Sequence, residues 1–155
     1  MDMPATSERV AVHTAETVNR KLHKALQMRL CYYTEHPEEI GARLTELNEE
    51  WDIERTLEAN ATTLGMIGLG LGATVSRKYF FLPTIVMGFL FQHALQGWCP
   101  PIPLFRRFGV RTQTEIETER YALKALRGDF EPVAQQTDGG DRHKRAQEAL
   151  RVVSH

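Results

Sequence analysis

Between Ala59 and Ser76 the chain carries no formally charged side chain, and between Tyr79 and Phe105 it again carries none. Only Arg77 and Lys78 separate the two windows. Uncharged apolar stretches of about 18 residues or more read as membrane-spanning helices. Two of them joined by so short a connector must run antiparallel. The expectation is a transmembrane hairpin with spans at 59–75 and 79–98. The average composition hides it: of 155 residues 25% are charged and the net charge is -1, because the flanks are ordinary polar helix sequence.

The two spans are unequal. The first contains Asn60, Thr62, Thr63, Thr74 and four glycines, Gly65, Gly68, Gly70 and Gly72. It reaches about 25 Å against a hydrocarbon core of roughly 30 Å. The second is richer in Phe, Leu, Ile and Val and reaches about 30 Å, so it is expected to carry the first into lipid. Ala61 and Gly65, then Gly68, Gly72 and Ser76, recur four apart. Small residues at that spacing let backbones approach closely where lipid supplies no hydrophobic drive. They serve packing within the chain first and a dimer seam second. Pro83 is either at the first helical turn or at a kink. Tyr79 and Trp98 suit the two interfacial belts. Pro100, Pro101 and Pro103 favour an extended, polyproline-like strip, with Phe105 and Phe108 near the headgroups.

The flanks read as amphipathic helices. Val18, Leu22, Leu26 and Leu30 place a helix over 8–33. Pro37 opens a second, with Ile40, Leu44, Leu47 and Trp51 on one face and Ile53 and Leu57 shifting the stripe toward the membrane. Residues 1–58 are therefore expected as cytoplasmic amphipathic helices forming a hairpin. A last amphipathic helix spans 113–130, capped by Thr114 with Glu117 or by Thr112 with Glu115 and stopped at Gly128. Residues 131–155 are expected as a disordered tail, with a linker at 135–140 and a weak helix at 142–152. A fold burying residues 59–98 away from lipid would need a larger core than these flanks provide.

Charge and cysteine content narrow the function. A net charge near zero without a basic, aromatic-interleaved stripe argues against a nucleic-acid partner. Two cysteines make no disulfide framework. The N-terminus lacks the apolar region of a cleavable signal. Four positive residues at the outer span ends, Arg55, Arg106, Arg107 and Arg111, outnumber Arg77 and Lys78 and place both termini in the cytoplasm.

Gln92, His93, Gln96 and Cys99 cluster at the end of the second span. A thiolate beside a protonated imidazole could carry sulfur. Interfacial hydrogen bonding around a structural cysteine is the preferred reading. One Cys and one His fall short of a metal site, and no cofactor motif, nucleophile elbow or paired catalytic acids are present. Cys31 reads as a buried small hydrophobe.

Gly97-Trp98-Cys99-Pro100 at the end of the second span, followed by Phe108-Gly109-Val110-Arg111-Thr112, resembles the YgaP-like inner-membrane domain family. That bacterial two-helix domain is marked by Gly-x-Cys-Pro and a following Gly-x-x-Thr, here Gly97, Cys99, Pro100, Gly109 and Thr112. The resemblance covers residues 59–112 and implies an inner-membrane location and a homodimer of helical hairpins. Some relatives carry a rhodanese domain, but neither cysteine here opens a turn of backbone N–H groups of that kind, so sulfurtransferase activity is not implied. The chain thus reads as all-α: an amphipathic helical hairpin, a two-helix transmembrane hairpin and a C-terminal amphipathic helix. The function expected is that of a non-enzymatic inner-membrane protein, with the bilayer as surroundings and a second copy or another protein docking on the cytoplasmic helices. The alternative is a thiol or sulfur-handling accessory using Cys99.

Overall fold

The computed structural model describes residues 9–135 and 142–154. All regular structure among them is helical: α1 Arg9–Val12, α2 Glu16–Glu35, α3 Ile40–Glu49, α4 Ile53–Thr74, α5 Phe81–Gln96, α6 Ile102–Arg107, α7 Gln113–Arg127, α8 Glu131–Gln135 and α9 Arg142–Ser154. Short 3-10 turns at Pro37–Glu39 and Arg77–Phe80 lead into α3 and α5. The chain divides into two compact units, one from Met1–Ala25 and Glu50–Ile116, the other from Leu26–Glu49 and Glu117–His155.

The helix expected to run from Pro37 to residue 58 is broken. α3 ends at Glu49, and Asp52 caps a new helix by accepting the Arg55 N–H at 2.7 Å. An N-cap carboxylate satisfies a donor that the helix itself leaves unpaired. Trp51 consequently leaves the α3 face and is half-exposed, with the Arg55 guanidinium 4.3 Å above its ring. Ile53 and Leu57 do not end a stripe; they begin the buried face of α4, which continues through Ala61, Gly65, Gly68 and Gly72.

That face packs on the start of α5. A Cβ at Gly68 would lie 2.5 Å from the Pro83 ring, and one at Gly72 would lie 2.7 Å from the Phe80 ring. The glycines are small because α5 occupies the space where side chains would stand. Gly65, also buried, has nothing within reach of an added Cβ. Ser76, half-buried, opens the turn that carries the exposed Arg77 and Lys78. Pro83 falls in the first turn of α5, where its missing N–H costs no hydrogen bond.

Segments 59–75 and 79–98 do not map onto whole helices. The apolar part of α4 is preceded in the same helix by Glu54, Arg55 and Glu58, and α5 has only 16 residues. No helix among the described residues is long and apolar enough to cross a membrane. The proline strip is not extended either. Pro101 lies in the helical region at φ -73° and caps α6, with Pro103 in its first turn. Proline breaks a helix that reaches it but suits one that starts there. Val10, Ile53, Leu57, Cys99 and Ile102 form the apolar core of the first unit, and Phe105 packs on it rather than standing apart. Phe108 stays exposed.

Two of the arginines counted at the outer span ends are buried in ion pairs. Arg106 holds both Glu115 oxygens, at 2.6 and 2.8 Å, and the Asn19 side chain at 3.1 Å. Arg111 holds both oxygens of Glu50, at 2.7 and 2.6 Å, while its carbonyl accepts the Ile53 N–H. Glu115 also completes the capping box: it accepts the Thr112 N–H at 2.9 Å and donates its own N–H to the Thr112 hydroxyl at 3.2 Å.

In the second unit α2, α3 and α7 are joined through one carboxylate. Glu119 is fully buried and receives Arg29 at 2.9 Å and Arg43 at 2.9 Å. Arg120 reaches from α7 to the Leu47 carbonyl and the Asn48 side chain at the end of α3. Ile40, Leu44, Leu47 and Leu123 are buried in their helices. α7 stops at Gly128. The segment 131–155, expected as a disordered tail, contains α8 and α9, and the greater part of the linker expected at 135–140 lies outside the described residues. Lys124 is buried and donates to the Val152 carbonyl at 2.7 Å. An ammonium suits the negative end of α9, although burial pushes its pKa down.

Candidate functional site

At the root of the α4–α5 pair a groove of about 600 Å³ opens beside the apolar core. Its walls are Val10, Ile53, Leu57 and Leu90; its polar lining includes Arg9, Glu54, Glu58, His93 and Thr114. The sequence builds it from two helix ends. Asp52 starts α4 with Glu54 and Glu58 one turn apart. α5 stops at Gly97, whose φ of 72° is a left-handed conformation that glycine adopts at least cost. A side chain at Gly97 would also collide with Arg9. Arg9 in turn donates to the Ala94 carbonyl at 3.2 Å, one of the last carbonyls of α5.

His93 is a buried polar group of the groove, as is Thr112. The imidazole Nε2 meets Glu54 Oε2 at 2.6 Å, and its Nδ1 is shut from water with no partner among the described residues. A short imidazole–carboxylate contact fixes the orientation of the ring. Glu54 is half-exposed in its side chain, while His93 is only 8% exposed.

The thiol cluster read from sequence is not assembled as a unit. Gln92 donates to Gln96 at 3.4 Å, along the surface of α5. His93 turns to Glu54, and Cys99 lies in the apolar core. Burial pushes the Cys99 thiol up, away from the thiolate that sulfur chemistry needs. Cys31, expected to be buried, is exposed, since it lies off the half-buried stripe of α2. A thiol reagent added to the folded protein will therefore modify Cys31 and spare Cys99 until the chain unfolds. Equal labelling rates in a C31S and C99S pair would contradict this placement.

The residues that carried the family resemblance do structural work here. Gly97 ends α5, Cys99 is core, and Pro100 opens the turn before α6. Gly109 has φ 91° just after α6, and Thr112 caps α7. Compared with family models, curated proteins and solved structures, the chain matches none.

Sequence reasoning missed Glu54 and Glu58 as partners of the site because they precede the uncharged window and read as solvated helix charges. It also missed Glu115 as more than a cap. Burial raises that carboxyl, but the Arg106 guanidinium and the Thr112 N–H outweigh burial and hold it below the usual glutamate range. A depressed carboxyl contributes stability that is complete above its unfolded pKa of about 4.5 and is lost as pH falls through the folded value. Acid unfolding followed by circular dichroism should therefore flatten below pH 4.5 in E115Q relative to the native chain.

Proposed function

We propose that α4 and α5 form a membrane-embedded hairpin and that the protein is a non-enzymatic membrane protein. Its helical base docks on the cytoplasmic side of a bacterial inner membrane. The observation that carries this reading is the exposure of large apolar side chains round both helices. On α5, Phe81, Ile85, Met87, Phe89, Phe91 and Leu95 are all exposed, Phe81 to 71% and Phe91 to 67%. At 3.6 residues per turn they cover an arc of roughly 200°. Met66, Ile67, Leu69 and Leu71 on α4, with Val75 at its C-cap, do the same, Met66 to 74%. A protein partner usually meets one stripe of a helix, whereas lipid meets all of it.

Neither helix qualifies alone as a span, and the proposal is that they enter as a pair. The uncharged part of α4 reaches about 24 Å, and the 3-10 turn with α5 about 32 Å. Arg77 and Lys78 at the tip then stand in the far headgroups, leaving both flanks on one side. Gly68 and Gly72 are already filled by α5, so self-association into a homodimer would use the outward faces. The resemblance to the YgaP-like domains supports the same reading. Sulfur handling by Cys99 gains no support from a buried thiol with a raised pKa.

The test is a S76C variant in a C31S background, expressed in cells and challenged with a membrane-impermeant thiol reagent. Labelling from outside intact spheroplasts supports the hairpin. Labelling only after lysis, with release of the protein by carbonate, would overturn it.

A further inference from the structure

The short helix α6 has two faces of opposite character. Ile102, Phe105 and Arg106, spaced by three and four residues, share the inner one. Ile102 belongs to the apolar core and Phe105 packs on it. Arg106 is buried behind them, tied to Glu115, to the Asn19 side chain and to the Val110 carbonyl at 3.1 Å. Leu104, Arg107 and Phe108 repeat the same spacing on the outer face. Phe108, the C-cap residue, is 76% exposed and Leu104 52%. Arg107 stands with them, also exposed, and its guanidinium makes no hydrogen bond or ion pair among the described residues. The carboxylates that its neighbours reach, Glu115 and Glu50, are already held by Arg106 and Arg111. The charge of Arg107 is left for a group from outside the chain.

We infer that the outer face of α6 seats on anionic phospholipid. Leu104 and Phe108 enter the upper acyl region, and the Arg107 guanidinium donates to the lipid phosphate. The inference rests on the membrane reading above, and the level of α6 on the hairpin supports it. Ile102 shares its core with Leu57, two residues and about 3 Å of helix before the uncharged stretch of α4 opens at Ala59. In that reading this is the headgroup boundary. There an arginine lays its stem on apolar surface and keeps its head among the phosphates, with leucine and phenylalanine below it. A nucleic-acid backbone would call for several such cations together. The face is held from behind by the core and by Arg106, so seating it on lipid orders nothing new. Net charge of the lipid head sets the choice, because an exposed arginine senses the surface potential.

The chain has two tryptophans, Trp51 and Trp98. Full-length protein carrying W51F, W98F and F108W therefore reports from this face alone. It is reconstituted in phosphatidylcholine vesicles containing phosphatidylglycerol. Its emission is quenched by lipids brominated near the glycerol end of the chain, by lipids brominated near the methyl end, and by iodide in the water. The shallow bromolipid should quench most and iodide least. Brominated phosphatidylglycerol should be enriched about fivefold over brominated phosphatidylcholine at residue 108, the weight of one arginine at an anionic surface. R107Q should bring the two lipids to equality. Arg107 is exposed, so R107Q keeps the fold, which an unchanged melting temperature verifies. Should W98F unsettle the core, a bimane on F108C in the C31S background gives the same readings. Iodide quenching as for a probe in water, strongest quenching by the deep bromolipid, or shielding from iodide and bromolipid alike by a protein surface would each overturn the inference. So would a lipid preference that survives R107Q. Labelling of S76C from outside, with residue 108 in water, removes this inference and leaves the hairpin standing. Labelling of S76C only after lysis removes the hairpin and this placement with it.

Discussion

Leucine at Gly68 will force α4 and α5 apart. The position has no room: an added Cβ meets the Pro83 ring at 2.5 Å and Leu82 at 3.1 Å. The proline ring is tied to its own backbone at both ends and cannot swing away, so relief requires the helices to separate. Overpacking of this kind costs about 1–3 kcal/mol where the surroundings can shift and more where they cannot. Gly72 faces the Phe80 ring instead, at 2.7 Å. That ring turns about its own side-chain bonds, so G72L should be milder than G68L. Gly70 has nothing within 4 Å, and G70A should gain up to about 1 kcal/mol from helix propensity. Thermal unfolding of the four proteins by circular dichroism gives the ranking G70A, native, G72L, G68L. If G68L melted with the native chain, the close approach described here would not exist.

Removing the Glu119 carboxylate is the second large effect. E119A leaves Arg29 and Arg43 facing a buried position with no counter-charge. Breaking one side of a buried ion pair typically costs about 3–5 kcal/mol, mostly as the penalty on the charge left behind. Arg29 is one-third exposed in its side chain and can turn toward water; Arg43 is 16% exposed and has less escape. The combined R29M, R43M and E119L replacement should recover most of the loss, since apolar groups of similar size satisfy the same space without desolvated charge. E46Q is the comparison. It breaks the Arg43–Glu46 pair, whose acid is 66% exposed, and such pairs contribute about 0–1 kcal/mol. Urea unfolding midpoints at constant slope decide the matter. A small E119A effect together with a large E46Q effect would reverse the assignment.

The parts legible from sequence were those coded by neighbours in the chain. Gly128 and the Thr112–Glu115 box mark helix ends through residues three or four apart, and the small-residue run on α4 betrays a face through its spacing. The break at Glu50–Asp52 was not legible, because Ile40, Leu44, Leu47 and Trp51 keep helical phase right up to it. What decides it is the pull of Arg111, sixty residues on, holding Glu50 and the Ile53 N–H. The proline strip misled for a different reason: the same residue type ends one helix and begins the next, and only the following contacts choose. Glu119 sat among exposed helix charges until Arg29 and Arg43 were brought to it from other helices. The His93–Glu54 contact spans the uncharged window and has no local signature. All-α character was accessible from periodicity, whereas a membrane location depends on what surrounds exposed apolar faces, which periodicity does not encode.

The doubly held Arg111 separates anchorage from reach. Its carbonyl ties the first turn of α4 and its guanidinium ties Glu50 just ahead of it, while Val10, Leu57, Cys99 and Ile102 form the apolar core beside them. Matched deletions or insertions of one heptad in each arm should therefore yield shorter or longer versions on an unchanged pedestal. For the membrane hairpin proposed above, bilayer thickness would then be matched by trimming two helices in register, with no redesign of the foundation.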